Sequence, residues 1–296
     1  MIQVASPAVV RSIMRRHNIS CHKSLGQNFL VDLNIIKKIL DSAELTSDDL
    51  VLEIGPGLGA LTTQAAQNAG KVLAVEVDRG LLPVLAETLE GAGDVEVIEG
   101  DALKTDFDRL AAEKTGGLFG KGGKKYKLVA NLPYYITSPL LMHLLTNRFN
   151  FSTAIVMVQL EVAERLAAGP GTKQYGALSV AVQYYTESKI LFKVPRSVFF
   201  PAPEVDSAVV RLSNRVQPAV FARDEETLFK VVRAAFAQRR KTLLNSLDGS
   251  GLGPDKVTWL KLLERCSIDP SRRGETLTLA EFASLTGAYL DFRAGF

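Results

Sequence analysis

The sequence predicts an α/β protein, a doubly wound sheet followed by a small all-α domain, and three observations carry the prediction. Apolar strand-like runs alternate with amphipathic helical patterns through the first two thirds of the chain. A glycine-rich turn follows directly on the first strong strand, where such sheets bend into a helix. From about Arg215 onward the strand signal disappears. The expected division is a domain over 1–214, opening with a basic N-terminal arm, and a helical one over 215–296.

Taken in order, strands are expected at 50–54, 71–77, 95–99, 127–131, 153–159, 189–194 and 207–212. The first, second, fourth and fifth are continuous apolar runs, as parallel strands covered on both faces should be. Helical periodicity falls at 33–42, 60–68, 80–89, 139–146, 162–168 and 178–185. The proline-rich stretch 195–203 is too short for a helical crossover, so the last two strands are expected as an antiparallel pair at one edge. Helices are expected at 224–247, 256–265 and 278–290, separated by Gly249 to Pro254 and by Asp269-Pro270. Residues 116–125, rich in Gly and Lys, are expected as a flexible basic surface loop.

Composition narrows the function classes. With 296 residues, 47% hydrophobic and 23% charged, the chain has the make-up of a soluble globular protein. A net charge of +3 gives no whole-molecule basic character, so any nucleic-acid contact must come from clusters. Cys21 and Cys266 are far apart, and His17, His22 and His143 lack ligand spacing, so neither a disulfide framework nor a metal site is expected. No run is long enough to span a bilayer, and a reducing cytoplasm is the expected setting. Arg11, Arg15 and Arg16 follow the apolar stretch 4–10 rather than preceding it, the wrong order for a secretory signal. Nothing calls for an obligate dimer, and a monomer is expected.

The first strand runs into Gly55-Pro56-Gly57-Leu58-Gly59 and then a helix, so the backbone can approach a ligand beside a helix N-terminus. Glu76 ends the second strand about 20 residues on, where an acid holds ribose hydroxyls, and Asp101 follows the third. Glu53 stands just before the glycines, where it repels a diphosphate and favours a cationic amino-acid moiety. The third glycine of a dinucleotide fingerprint would fall at Ala60, and no Gly-Lys-Ser/Thr occurs. These details favour S-adenosylmethionine as cofactor.

At the end of the fourth strand stands Asn131-Leu132-Pro133-Tyr134-Tyr135. The Asn131 side-chain oxygen and the Leu132 carbonyl can accept from an exocyclic amine, and Pro133 stiffens the turn without adding a donor. Tyr134 offers a face to a base taken out of its stack. A second aromatic is sought in Phe199-Phe200, of which one is expected at the base and the other in the core. Basic residues gather at Arg233, Arg239, Arg240 and Lys241, placed in one long helix, at Arg272 and Arg273, and at Lys23 with the arm 11–16. Together they suggest a phosphate-tracking surface for structured RNA.

Residues 23–30 (Lys-Ser-Leu-Gly-Gln-Asn-Phe-Leu), 53–62, 131–139, 201–208 and 236–243 together resemble the KsgA-type rRNA adenine dimethyltransferases, in the family's order over most of the chain. The resemblance implies a Rossmann-like class I methyltransferase that uses S-adenosylmethionine. The reaction implied is dimethylation of N6 on two adjacent adenosines in the 3′-terminal hairpin of 16S rRNA, within an immature 30S particle. It implies cofactor contacts at Asn28, Leu30, Gly55, Gly57, Glu76, Asp101 and Asn131, and a catalytic cradle of Asn131, Leu132, Pro133 and Tyr134 with Phe199 stacking. A basic lead-in before the Gly26-Gln27-Asn28 motif is expected of this family, so the segment is not read as a transit peptide. Two departures stand out: the longer 116–125 loop, and Gly274 where the family usually has Ala or Pro. The alternatives are a large-subunit rRNA adenine methyltransferase and a non-catalytic RNA-binding assembly factor. The continuation through Pro139 and the Val205-Asp206-Ser207-Ala208 stretch favour the small-subunit group.

Overall fold

The computed structural model describes residues 4–19 and 26–295. Among the described residues, nine strands form a seven-stranded and a two-stranded sheet. The strands are β1 (Phe29–Leu30), β2 (Leu50–Ile54), β3 (Lys71–Glu76), β4 (Val95–Glu99), β5 (Tyr126–Asn131), β6 (Phe151–Gln159), β7 (Thr186–Val194), β8 (Phe199–Phe200) and β9 (Ser207–Asn214). In the larger sheet the order is β4-β3-β2-β5-β6-β9-β7. From β4 to β6 every pairing is parallel, as the apolar runs required, and β9 runs antiparallel to β6. The expected edge pair is β7 and β9, with the later strand inserted inside the earlier one.

Helix α1 (Pro7–Arg16) forms within the expected basic arm. Ser6 caps it, proline occupies its first position, where a missing N–H costs nothing, and Val10 and Ile13 are buried. Helix α2 (Leu33–Ala43), capped by Asp32, packs Ile36, Ile39 and Leu40 against Val51, Val72, Val129 and Ile155 of the sheet. Helices α3 (Ala60–Ala65) and α4 (Leu82–Thr88) follow β2 and β3. Val84 and Leu85 of α4 form a second cluster with Leu58 and with Val10 and Ile13 of α1. Glu87 draws α1 in further, lying 2.7 Å from Arg16 and 2.6 Å from His17. Helix α5 (Phe107–Lys114) has no counterpart in the sequence reading, and α6 (Thr137–Thr146) and α7 (Leu160–Leu166) complete this part of the chain.

The 116–125 loop is more ordered than expected. Gly120 N–H donates to the Lys124 carbonyl at 3.2 Å, and the Asn150 amide donates to the Gly120 carbonyl at 2.7 Å. Buried Asp108 anchors this end of the sheet, accepting from Tyr126 OH at 2.9 Å and Asn150 N–H at 2.8 Å.

Two compact units divide the chain: residues 1–163 with 188–214, and residues 164–187 with 215–296. The boundary drawn at 214 therefore misses the excursion of 164–187 into the second unit, where α8 (Ala177–Tyr185) belongs. Tyr184 and Tyr185 of α8 pack on Phe229 of α9 (Glu225–Phe236), with ring centroids 5.5 and 5.7 Å away. The long helix expected over 224–247 is broken. After α9 the chain turns, and Thr242 caps a separate α10 (Leu243–Asp248). Helices α11 (Lys256–Arg265) and α12 (Leu279–Arg293) complete the unit. Gly274 has a local reason: a Cβ there would lie 2.5 Å from the Ala235 carbonyl oxygen, so the turn can rest on α9 only without a side chain.

Candidate active site

A cleft opens where the parallel strands β2, β3 and β5 finish. Asn28, Leu30, Gly55, Gly57, Glu76, Asn131, Leu132, Pro133 and Tyr134 all line it, so nine of the expected site residues meet in one place. This is where ligands gather in open α/β sheets, beyond the carboxyl ends of the strands.

The floor is the glycine turn. Gly55, Gly57 and Gly59 have φ of 68°, 59° and 85°, the left-handed region that glycine enters at no steric cost. A Cβ on Gly57 would come within 3.1 Å of the Phe29 ring, so the turn and the loop above it close on each other only because the glycine is bare. Glu76 is 5% exposed, and its oxygens accept from Asp78 N–H at 2.8 Å and Gly57 N–H at 3.4 Å. Burial pushes its carboxyl above the usual range against those two donors. Glu53 is 2% exposed, and its Oε2 has no hydrogen-bond partner. Burial pushes it up to about 8, and the neighbouring charge of Glu76 adds to the rise. An acid this dry, bordering a cleft, is poised for a cation.

Over the floor lies the loop 26–30, tied at Gln27 and Asn28. Gln27 Nε2 donates to Asp78 Oδ2 at 2.7 Å, and Asn131 Nδ2 donates to the Asn28 carbonyl at 3.2 Å. The second bond fixes the Asn131 amide: its nitrogen is spent on Asn28, and its oxygen, buried in the cleft wall, has no partner. A buried acceptor left open costs stability, so it marks a place built for a donor. Pro133 offers no competing oxygen, since its carbonyl accepts from Ile136 N–H at 3.2 Å and Thr137 Oγ1 at 2.9 Å. Leu132, 1% exposed, is held to the next strand by its N–H, which donates to the Met157 carbonyl at 3.0 Å. Tyr134 and Tyr135 enter a short 3₁₀ turn and both border the cleft.

Two expected residues, Phe199 and Asp101, do not line the cleft. Phe199 is 4% exposed and packs among Leu30, Ile36 and Val194, so the ring assigned to the base is a core residue here. Phe200, assigned to the core, also packs inward and lies 5.5 Å under the Arg11 guanidinium. Asp101 does not line the cleft. Its Oδ1 caps Leu103 N–H at 2.9 Å, and it reaches the site only through its charge, which with burial and Glu76 raises the Tyr135 phenol.

The sequence reading passed over Gln27, Tyr135 and Val4, all of which line the cleft. Gln27 and Tyr135 sit inside the very stretches singled out, whereas nothing in 4–10 signalled that Val4 would reach a binding site.

In the second unit, Arg233, Arg239, Arg240, Lys241 and Arg273 are exposed. Arg239 to Lys241 lie in the turn between α9 and α10 rather than on a helix face. Arg272 is no part of a free surface. Its guanidinium grips Glu281, the capping-box acid of α12, and donates to the Thr276 carbonyl at 2.7 Å. Glu281 is thereby held down to about 2. Lys23 lies outside the described residues.

The strand order separates this sheet from a dinucleotide-binding one, because β9 enters antiparallel between β6 and β7. With a floor that favours a cation over a diphosphate, it places the molecule among the class I S-adenosylmethionine-dependent methyltransferases. Residues 18–285 match the model of the ribosomal RNA adenine dimethylase family, and the chain belongs to that family. It is 71% identical to the ribosomal RNA small subunit methyltransferase A of Pelotomaculum thermopropionicum, over 98% of this chain and 99% of that one. The protein of the same name from Moorella thermoacetica is 53% identical, with 97% and 98% covered. Among solved structures, a dimethyladenosine transferase from Plasmodium falciparum matches with a TM-score of 0.73 at 29% identity, over 90% of this chain and 98% of that one. The 23S rRNA methyltransferase ErmE matches at 0.64 and 27%, over 88% and 99%.

Proposed function

We propose that this protein dimethylates N6 of two adjacent adenosines in the 3′-terminal hairpin of small-subunit ribosomal RNA, using S-adenosylmethionine. The observation that carries the reading is the buried, unpartnered Asn131 Oδ1 on a residue that lines the cleft, the amide nitrogen being given to the Asn28 carbonyl.

An adenine amine is a poor nucleophile because its lone pair is delocalised into the ring. Asn131 Oδ1 and the Leu132 carbonyl accept its two N–H bonds and turn that lone pair out of conjugation. Tyr134 covers one face of the base. The cofactor, when bound, supplies an electrophilic methyl group on a sulfonium. The residues that fit it are Glu76 for the ribose hydroxyls, the Gly55–Gly57 turn and the Asn28–Leu30 loop for close backbone approach, and Glu53 for a cationic ammonium, its lone oxygen being open. Asp101 acts on the adenine side by charge. No general base is required, since an arylammonium nitrogen gives its proton to water. Among the described residues no histidine or cysteine lines the cleft. Positioning and exclusion of water carry the rate.

The RNA is met within an immature 30S particle in the cytoplasm, by a monomer. Arg233, Arg239, Arg240, Lys241 and Arg273 track its phosphates, and Lys23 adds to them.

The test gives purified protein and labelled S-adenosylmethionine to small subunits lacking the modification and, separately, to large-subunit RNA, then maps the labelled bases. Dimethyladenosine at two adjacent small-subunit positions is expected. Label confined to large-subunit RNA, or none in either, overturns the reading.

A further inference from the structure

The Tyr134 phenol does not hang free in the cleft: its oxygen lies 2.6 Å from Ser207 Oγ. Ser207 is fully buried, opens β9 and pairs with Gln159, the last residue of β6. Because β9 runs against β6, its first residue falls at the end of the sheet where β5 delivers Asn131, which pairs with Met157 two residues earlier on β6. The serine backbone is therefore set by the same ladder that sets the amide oxygen. The approach to it is fixed too. Leu160 N–H donates to the Asp206 carbonyl at 2.9 Å, and Asp206 Oδ1 accepts from Arg196 N–H at 2.9 Å.

Stacking on a base needs only a ring face, and phenylalanine has the same face as tyrosine. The hydroxyl of Tyr134 must serve something else. A tyrosine on a short 3₁₀ turn has two soft side-chain torsions, and an anchor at the far end of the ring removes the freedom of both.

We propose that Ser207 is a positioning residue for the methyl acceptor: it pins the Tyr134 hydroxyl so that the ring stands at one angle beside the Asn131 acceptor. The inference rests on the reading of the cleft as a base-binding site. It adds to that site a residue from a different strand, one that touches neither base nor cofactor. It also gives a physical use to the Val205-Asp206-Ser207-Ala208 stretch, whose serine delivers a hydroxyl at a depth where only the tyrosine meets it. A serine this buried has to spend its hydroxyl on a partner, so the bare need for satisfaction is the competing explanation.

A double-mutant cycle separates the two. Ser207→Ala, Tyr134→Phe and the combined variant are compared with wild type on undermethylated small subunits, with S-adenosylmethionine affinity measured by calorimetry and stability by thermal melting. Each single change is expected to lower kcat about tenfold while cofactor affinity stays as in wild type. The combined variant is expected to be no slower than either single one, because all three lose the same contact. A wild-type kcat in either single variant overturns the proposal, and so do losses that multiply in the combined one. Should Ser207→Ala fold poorly, Tyr134→Phe alone still decides, since it alters only a half-buried side chain. Failure of the wild type to label adenosine would overturn the functional reading instead, so the two failures are distinct.

Discussion

Two proline-framed aromatic pairs stand in the same unit and meet opposite fates. Tyr134-Tyr135 follows Pro133 in a turn that joins no sheet, and Tyr135 stays 48% exposed at the mouth of the cleft. Phe199-Phe200 precedes Pro201 and is drawn into a two-stranded ladder, with Phe199 opposite Leu30 and Phe200 opposite Phe29. Alternation in that ladder sends Leu30 and Phe199 to the cluster under α2, and Phe29 and Phe200 to the cluster under α1. These aromatics beside a proline thus border the cleft or enter the core according to whether their backbone finds a strand partner. The phenylalanines serve the site from behind: they hold the Asn28–Leu30 loop, whose Phe29 rests on Gly57.

The largest effect that would break this contrast is on stability. Phe199→Ala should cost about 3–5 kcal/mol, read as a lowered melting temperature, while the folded fraction keeps its kcat. An unchanged melting temperature with kcat lost would return Phe199 to the base. Next comes Asn131→Ala, which should lower methyl transfer about 100- to 1,000-fold in a single-turnover assay while RNA binding persists. Survival of activity would end the amine-gripping account. Tyr134→Ala removes the stacking face as well as the hydroxyl and should cost about 1–3 kcal/mol of transition-state binding beyond the loss in Tyr134→Phe, measured as kcat/KM for the RNA. An effect as small as that of Tyr134→Phe would mean the ring is dispensable.

The smallest effect concerns the floor beneath both pairs. The Glu53 carboxyl is raised to about 8 in the folded chain and titrates in the ordinary carboxylate range when unfolded. The folded state therefore binds the extra proton, and the stability this contributes is present at low pH and lost as pH rises through about 8. Between pH 7 and pH 9 the cofactor-free protein should lose about 1 kcal/mol by this route, and Glu53→Gln should flatten that slope in a melting series.

Strands β2, β3 and β5 were legible as apolar runs, and the cleft opens at their ends, where Glu53, Gly55, Glu76 and Asn131 line it. Phe29–Leu30 and Phe199–Phe200 were not read as strands, since two residues carry no periodicity, and with them went the fate of Phe199. Helix α1 hid behind Pro7, which breaks a helix interior but suits its first turn. The break after Phe236 hid because Ala237 to Lys241 are all good helix formers, and only the Thr242 cap betrays it. Arg272 looked like part of a basic patch because its partner Glu281 lies nine residues away, beyond a turn. Pairings such as Gln27 with Asp78, or Tyr134 with Ser207, join residues 51 and 73 positions apart and leave no local signal.

The excursion of 164–187 into the second unit bears on how the chain must be made. During synthesis α8 emerges before its neighbour α9, so Tyr184 and Tyr185, whose hydroxyls bond Glu225 at 3.0 and 3.1 Å, wait for some forty residues of further translation. Over that interval β7 and β9 are delivered to the first sheet. No single cut separates the units: a chain ended at 214 keeps α8 and loses the helix that shelters its aromatic face.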